Sequence, residues 1–224
     1  MKTLAIIFVI LSSSFLFAQT KAAPLDVIVT DKSGKRIPND KITFIATQSK
    51  KEIVGITDSK GYFKVHLPAG DEYSIKVEVI GEHIDYTSFE VPTPPPGAVF
   101  NTRTLEIRYE IPESVVLEDL NFASGKYTIQ SDSYPILDQL AAYLIRKKNI
   151  HIRVEGHTDS DGSSTSNALL SERRAQAVKK YLEGKGVSSD LVDAKGMGED
   201  KPIADNSTAD GKATNRRTEI HIVK

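Results

Sequence analysis

The sequence predicts an α+β protein of two domains, an N-terminal antiparallel β-sandwich followed by an α/β domain whose mixed sheet is covered by helices. Between residue 25 and about residue 109, apolar residues alternate with polar ones, which is the pattern of half-buried strands. After residue 112, such strands alternate with segments whose apolar residues recur at helical spacing. Strands that alternate with helices predict a sheet with helices packed against it. The length of 224 residues suits one large or two small domains.

Composition and charge exclude several kinds of protein. The chain has 29 basic and 30 acidic residues, so it lacks the excess of positive charge typical of nucleic-acid binding. It contains no cysteine, which excludes disulfides, thiolate metal sites and a lipid-modified N-terminal cysteine. Its 39% of apolar and 26% of charged residues are typical of a folded protein. We therefore expect a globular protein with no nucleic-acid partner.

The first 18 residues have the composition of a secretory signal peptide. Lys2 precedes an apolar run at residues 4–11, which is followed by three serines, by Phe15-Leu16-Phe17 and by the small residue Ala18. The run is shorter than the roughly 20 residues that span a bilayer, which favours a signal peptide over an uncleaved anchor. We expect cleavage after Ala18, or as late as residue 23. The mature chain is then predicted to be exported and to have no membrane span.

The first domain is predicted from five alternating runs and the turns between them. Tight turns are expected at residues 58–61 and 68–71, where aspartate, glycine and proline cluster. The proline run at residues 92–97 does not fit a hydrogen-bonded sheet, so we expect a surface loop there. The runs themselves lie at residues 25–29, 42–46, 63–67, 73–79 and 105–109.

The turn and strand pattern of this half resembles the carboxypeptidase-regulatory-like and prealbumin-like sandwich modules. It reads Thr57-Asp58-x-x-Gly61-x-Phe63-x-Val65-x-Leu67-Pro68-x-Gly70-x-x-Tyr73. The resemblance predicts a sandwich domain over residues 24–110. It implies a scaffold or interaction unit without chemistry of its own, which we expect to hold an outer-membrane or envelope protein.

The second domain is predicted to consist of three strands and two helices. Pro135 suits the first turn of a helix, and Gly184 and Gly186 suit the end of one. The strands are expected at residues 115–122, 150–154 and 218–222, and the helices at residues 135–144 and about 167–183.

Five short motifs follow one another along the second domain. They are Gly156-His157-Thr158-Asp159 with Gly162, Asn167 to Ala175, Gly186-Val187, Gly196 to Pro202, and Asn215-Arg216-Arg217. In this order they resemble the OmpA-like peptidoglycan-binding domain, over residues 114–224. The resemblance implies a non-catalytic protein of a Gram-negative envelope, in the periplasm or associated with the outer membrane. It also implies a ligand, which is the diaminopimelate residue of the peptidoglycan stem peptide.

Asp159 and Arg174 are the pair that the resemblance assigns to this ligand. The end of diaminopimelate carries an ammonium, which Asp159 would bind. It also carries a carboxylate, to which Arg174 would donate two parallel hydrogen bonds. Helical spacing separately favours Arg174, because Asn167, Leu170 and Arg174 share one stripe at the edge of the core face, whereas Arg173 lies on the opposite, solvated flank. The predicted core face carries Ala168, Ala175, Val178 and Leu182.

The resemblance also places Thr158, Phe122 and Arg216 near the ligand. Phe122 has an alternative interpretation as a core residue, and Arg216 as a member of a structural ion pair. Relatives often carry aspartate after the residue that matches Phe122, whereas this chain has Ala123. One side-chain contact that some relatives make is therefore expected to be missing here.

Three further interpretations concern the residues around Asp159. Asp159 and Arg174 could form only a salt bridge between loop and helix, since surface ion pairs are common. The predicted helix N-terminus at Asn167 would add positive potential for a carboxylate. His157 is expected to be a structural hydrogen bonder rather than a ligand contact.

Other chemistries have less support in the sequence. Residues 159–162 begin like a calcium loop, but no glutamate closes it, and the five histidines lack metal-ligand spacing, so no metal or cofactor is expected. A wall hydrolase that pairs Asp159 with Glu155 or Asp161 is the catalytic alternative, and we expect no enzyme. An adhesin or carbohydrate-binding role of the first domain would require an exposed strip of aromatic residues.

Overall fold

The computed structural model of the chain describes residues 22–80, 82–118 and 120–223. The predicted signal peptide at residues 1–18 lies outside the described residues. The described part is a mixed α/β structure with three sheets and few helices. No helix within it is long and apolar enough to cross a membrane.

Seven strands of the N-terminal half form two sheets. They are β1 (Ala22–Thr30), β2 (Lys41–Ala46), β3 (Glu52–Ile56), β4 (Tyr62–Pro68), β5 (Asp71–Val79), β6 (Glu82–Val91) and β7 (Arg103–Arg108). One sheet has the order β4–β1–β7 and the other the order β3–β2–β5–β6. Phe44 of β2 meets Phe63 of β4 edge to face, with ring centroids 6.4 Å apart, so the apolar faces of the two sheets contact each other.

Two features of this half differ from the sequence prediction. β1 and β7 pair in parallel, so the expectation of antiparallel pairing throughout is wrong. A parallel pair needs a long crossover connection. Here the chain forms all four strands of the other sheet after it leaves β1 and before it enters β7. β3 and β6 are missing from the predicted runs, because both are edge strands with mostly exposed side chains and a weak apolar alternation. The predicted proline loop is confirmed, since residues 92–102 contain no strand or helix.

The C-terminal half is one mixed sheet with helices. Its strands are β8 (Ser114–Val116), β9 (His151–His157), β10 (Val192–Gly198) and β11 (Thr218–Val223), in the order β10–β9–β11–β8. Its helices are α1 (Tyr134–Lys147), α2 (Ser164–Gly184) and α3 (Ala209–Asn215). β9 and β10 are parallel and the other neighbours are antiparallel, so the predicted mixed sheet is confirmed.

Glycines allow α2 to lie very close to the sheet. A Cβ atom on Gly156 of β9 would lie 2.4 Å from the carbonyl oxygen of Ser171, and one on Gly196 of β10 would lie 2.3 Å from the backbone nitrogen of Glu172. No other residue fits at such an approach of helix to strand. The contact holds the first half of α2 beside the loop that follows β9, where the candidate site lies.

The structure contains β10 and α3, which the sequence did not predict, and it corrects three predicted details of this half. β8 ends at Val116 rather than near Phe122, and Phe122 instead bridges Ile129 across a turn. α2 begins at Ser164 rather than at Asn167, because the Ser163 side chain caps it by accepting the N–H of Ser166. Ala168 is exposed instead of buried, and the buried residues of the helix are Asn167, Ser171, Ala175, Val178 and Leu182.

Buried charges join the last turn of α1 to the N-terminal half. The Lys147 ammonium lies 2.5 Å from an Asp40 carboxylate oxygen, and both side chains are almost completely buried. The Tyr109 hydroxyl donates to the other Asp40 oxygen at 2.5 Å, and burial raises the pKa of this phenol, which therefore keeps its proton. Next to this pair, Arg146 lies 2.8 Å from Glu78 of β5. The two halves are thus connected by two ion pairs, of which Lys147–Asp40 is hydrogen-bonded, as well as by the chain.

Candidate functional site

Asp159 lies in the loop directly after β9 and is an ion-paired carboxylate. Arg216, which follows α3, lies 2.6 Å from its Oδ2 atom, and the backbone N–H of Asp161 donates to Oδ1 at 3.1 Å. Burial alone would raise the pKa of Asp159, but these hydrogen bonds outweigh it and hold the pKa below its usual range. Asp159 is therefore negatively charged at neutral pH, although its side chain is only 11% exposed.

Arg174 reaches the same place from α2. Its Nε donates to the carbonyl oxygen of Lys126 at 3.1 Å, and its guanidinium lies over the ring of Phe122, 5.1 Å from the centroid. Burial, followed by the positive charge of Arg216, lowers the pKa of Arg174 against the attraction of Asp159. The alternative in which Asp159 is simply salt-bridged to Arg174 is wrong, because the cation bound to Asp159 is Arg216.

Phe122 and Arg216 have definite places in this arrangement. Phe122 is half-buried and lies beneath the Arg174 guanidinium, so it is more than a core residue. Arg216 forms the structural ion pair that the sequence left open, and it does so with the candidate ligand-binding carboxylate itself. The Lys126 carbonyl oxygen escaped the sequence prediction, since a backbone acceptor carries no side-chain signal.

Asn167 is a buried residue that binds the backbone of the Asp159 loop, and it is not an exposed residue at the edge of the site. Its amide donates to the carbonyl oxygens of Asp159 at 3.2 Å and Asp161 at 3.1 Å and also contacts Glu199, and the residue is buried. It lies in the first turn of α2 but does not form the helix N-terminus, so the expected positive potential belongs three to four residues earlier. A direct ligand contact by Asn167 stays a prediction.

Thr158 and Leu170 complete the predicted set. Thr158 is buried, its backbone N–H donates to Gly198, and its hydroxyl has no hydrogen-bond partner among the described residues. Leu170 is half-buried on α2, next to Lys126 of the facing loop. Thr158 directly precedes Asp159, and a ligand contact by either Thr158 or Leu170 stays a prediction.

Residues outside the prediction hold Arg216 and the Asp159 loop in place. Asn215 is fully buried, and its Oδ1 accepts the backbone N–H groups of Ile203 and Ala204 at 2.8 and 3.0 Å. Lys212 of α3 pairs with Asp161 at 2.7 Å. These contacts fix the end of α3 against the loop, which orients the Arg216 side chain toward Asp159.

His157 is buried but lies outside the Asp159 site. Gly156 faces α2, so the next residue of the strand points to the opposite face of the sheet. Both ring nitrogens lack a hydrogen-bond partner among the described residues, so the expectation of a structural hydrogen bonder is wrong. Burial, followed by the charge of Arg217, lowers the pKa of His157 to about 4. The ring is therefore neutral under ordinary conditions.

Replacing His157 with leucine is expected to reduce the decrease in the free energy of unfolding that occurs between pH 6.5 and pH 4. An unfolded histidine has a pKa of about 6.5, so over this range only the unfolded chain takes up the proton. The contribution of the neutral His157 ring to the free energy of unfolding is fully present above pH 6.5. It is lost as the pH falls toward 4, and the loss amounts to about 3 kcal/mol. Urea unfolding at pH 7 and pH 4.5 measures the difference, with exposed His66→Gln as the control. Equal losses in wild type and His157→Leu would contradict the assignment.

A group of possible metal ligands surrounds His157. Within the described part of the chain, donor atoms of Glu155, His157 and Glu219 lie within 4.8 Å of one another. Arg153, however, binds Glu155 at 2.8 Å and Arg217 binds Glu219 at 2.5 Å. A metal ion would have to displace or face both arginines, so we assign none to this cluster.

The two alternative functions find no support in this geometry. Asp159, Glu155 and Asp161 are each paired with a cation, at 2.6, 2.8 and 2.7 Å. A general acid needs a carboxyl group held protonated, which an ion pair opposes. For the adhesin, the aromatic residues described between residues 22 and 110 are buried or half-buried, so this part of the chain shows no exposed aromatic strip.

Comparison with known proteins shows that the C-terminal half is similar to several envelope proteins. A family model described as the OmpA family matches residues 121–216. Outer membrane porin F of Pseudomonas aeruginosa is 42% identical over 105 residues, which are 46% of this chain and 30% of the porin. The outer-membrane lipoprotein YfiB of the same species is 33% identical over 125 residues, 56% of this chain and 74% of YfiB. The peptidoglycan-binding protein ArfA of Mycobacterium bovis is 39% identical over 98 residues, 44% of this chain and 30% of ArfA.

Proposed function

Since the chain belongs to the OmpA family through its C-terminal half, we propose that it binds peptidoglycan, without catalysing a reaction, and anchors an envelope component to the cell wall. The name of ArfA states peptidoglycan binding, and those of porin F and YfiB state the outer membrane. The chain spans less than a third of the porin, so this function is argued from the site and not from the whole relatives.

The observation that carries the proposal is a carboxylate, Asp159, with two arginines close to it. Arg216 is bonded to Asp159, and the charge of Arg216 disfavours the charged form of Arg174. A ligand carboxylate placed against Arg174 would relieve this repulsion, while a ligand ammonium would be attracted to Asp159. The site therefore suits a group that carries both charges, as the end of diaminopimelate does.

The expected affinity is modest at a single site and larger on the wall. Each charge-assisted hydrogen bond is worth roughly 1.5–3 kcal/mol, and two or three of them give about 4–8 kcal/mol. This corresponds to a dissociation constant between about 1 mM and 1 μM. A polymeric wall presents many copies of the ligand, so retention exceeds what one site provides.

The remaining parts of the chain fit an exported anchor. We assign residues 1–18 to a signal peptide, residues 24–110 to a sandwich domain of the prealbumin-like kind, and residues 114–224 to the wall-binding domain. The protein would then lie in the periplasm, at the inner side of the outer membrane. The N-terminal domain would hold an outer-membrane or envelope protein, while the C-terminal domain binds peptidoglycan.

Co-sedimentation with purified sacculi tests the proposal. The wild-type protein is expected to pellet with sacculi, whereas Asp159→Ala and Arg174→Ala are expected to stay in the supernatant. Arg103→Ala serves as the matched control, because Arg103 is an exposed arginine of the N-terminal half. Circular dichroism of each variant verifies that it is folded. Wild-type protein that stays in the supernatant, or folded variants that pellet as the wild type does, would disprove the proposal.

A further inference from the structure

An open groove runs along the exposed face of α2, beside the loop at residues 123–129. Two adjoining concave regions of about 420 and 310 Å³ share Tyr127 and Arg173. We call this surface the Tyr127 groove; it is lined by Lys126, Tyr127, Leu169, Arg173, Ala177 and Lys180.

The Tyr127 groove adjoins the Asp159–Arg174 site at Lys126, which lines the groove and accepts a hydrogen bond from Arg174. Arg174 donates to the carbonyl oxygen of Lys126 at 3.1 Å, and this contact separates the two. Tyr127, which follows Lys126 in the loop, and Arg173, which precedes Arg174 in α2, both line the groove. An extended peptide advances about 3.3–3.6 Å per residue. A peptide with one residue at Arg174 would therefore place its neighbouring residues in the groove.

The polar groups at the groove are mainly positive. The Arg173 guanidinium lies over the Tyr127 ring, 5.7 Å from its centroid, which orients this exposed cation. Lys126 and Lys180 add two exposed ammonium groups. The acidic residue at the groove, Glu172, already accepts from the backbone N–H of Gly196 at 2.6 Å and from Gln176 at 2.9 Å.

Apart from these charged groups and the polar Ser166 and Gln176, the surface of the groove is apolar. Tyr127 is 50% and Leu169 is 51% exposed, which is unusual for large apolar side chains so close together. Ala177 adds a small apolar side chain on α2. The chemistry of the groove thus matches an anionic peptide with small aliphatic side chains.

We propose that the Tyr127 groove is a second subsite, which binds the part of the stem peptide next to diaminopimelate. The inference rests on the proposed function, because the ligand reaches the groove from the Asp159–Arg174 site. In a wall built on diaminopimelate, the neighbouring residues are a glutamate and alanines. Their carboxylate pairs with Arg173 and the two lysines, and their methyl groups contact Leu169 and Ala177. The groove therefore selects the peptide context in which diaminopimelate is presented.

Calorimetric titration of the whole chain with two ligands tests this. The ligands are free meso-diaminopimelate and a soluble stem tetrapeptide that contains it, titrated into wild type, Arg173→Ala and Tyr127→Ala. The wild type is expected to bind the tetrapeptide at least tenfold more tightly than the free amino acid. Both variants are expected to lose about tenfold for the tetrapeptide and nothing for the free amino acid. Lys179→Ala, a cation of α2 outside the groove, should match the wild type.

The outcomes separate the subsite from the function on which it rests. If wild type binds free diaminopimelate but gains nothing from the tetrapeptide, the groove is overturned and the proposed function stands. The groove is also overturned if Arg173→Ala keeps the full gain, or if the gain appears only when the wall disaccharide is attached. If neither ligand binds, the proposed function fails together with the groove. Tyr127→Phe, which keeps the ring, should retain the tetrapeptide gain.

Discussion

Replacing Lys147 with methionine is expected to lower the free energy of unfolding by about 3–5 kcal/mol. The change removes the cation from Asp40, whose side chain is completely buried between the N-terminal half and α1. Tyr109 still donates to Asp40, but a hydroxyl does not neutralise a charge. Urea unfolding followed by circular dichroism measures the effect. Methionine keeps most of the apolar length of lysine, so the loss reports the charge rather than a cavity.

A neighbouring lysine and a double variant provide the controls. Lys148→Met changes the same residue type at an exposed position one residue later, and its effect should stay within about 0.5 kcal/mol. Lys147→Met combined with Asp40→Asn should recover part of the loss, because no unpaired charge remains buried. A loss below about 1 kcal/mol for Lys147→Met would show that the ion pair does not support the junction.

A stem peptide with lysine in place of diaminopimelate is expected to bind about 100-fold more weakly. Lysine keeps the ammonium but lacks the carboxylate, so it forfeits the forked bonds to Arg174, worth roughly 2–3 kcal/mol. Calorimetric titration of the wild-type chain with both peptides measures the ratio. The result would separate recognition of the zwitterion from simple attraction of a positive charge to Asp159.

Two variants complete this comparison as a cycle between protein and ligand. Arg174→Met should weaken the diaminopimelate peptide by about 100-fold but leave the lysine peptide unchanged. Asp159→Asn should weaken both peptides, because both carry the ammonium. If Arg174→Met preserves the discrimination, Arg216 rather than Arg174 binds the ligand carboxylate. If it weakens both peptides equally, Arg174 acts on the fold of the site and not on the ligand.

Local patterns in the sequence predicted most of the elements near the site. The strand before Asp159 and the exposed position of Arg173 on α2 follow from period and spacing, and both are confirmed. The start of α2 was harder to predict, because the polar residues 163–166 carry no apolar periodicity, yet Ser163 caps the helix and residues 164–166 begin its first turn. The prediction that Ala168 lies in the core was also wrong. Gly156 and Gly196 bring the helix so close to the sheet that the small polar Ser171 is buried on the face that contacts the sheet.

What the sequence by itself determined is the class of each element and the identity of the charged residues, because both depend on neighbours along the chain. Only the tertiary structure decided which charges meet. Arg216 binds Asp159 across 57 residues, and Arg174 binds the Lys126 carbonyl across 48. Lys147 reaches Asp40 across 107 residues. Such pairs depend on how the sheets and helices pack, and one buried carboxylate accepts any cation that the packing brings to it.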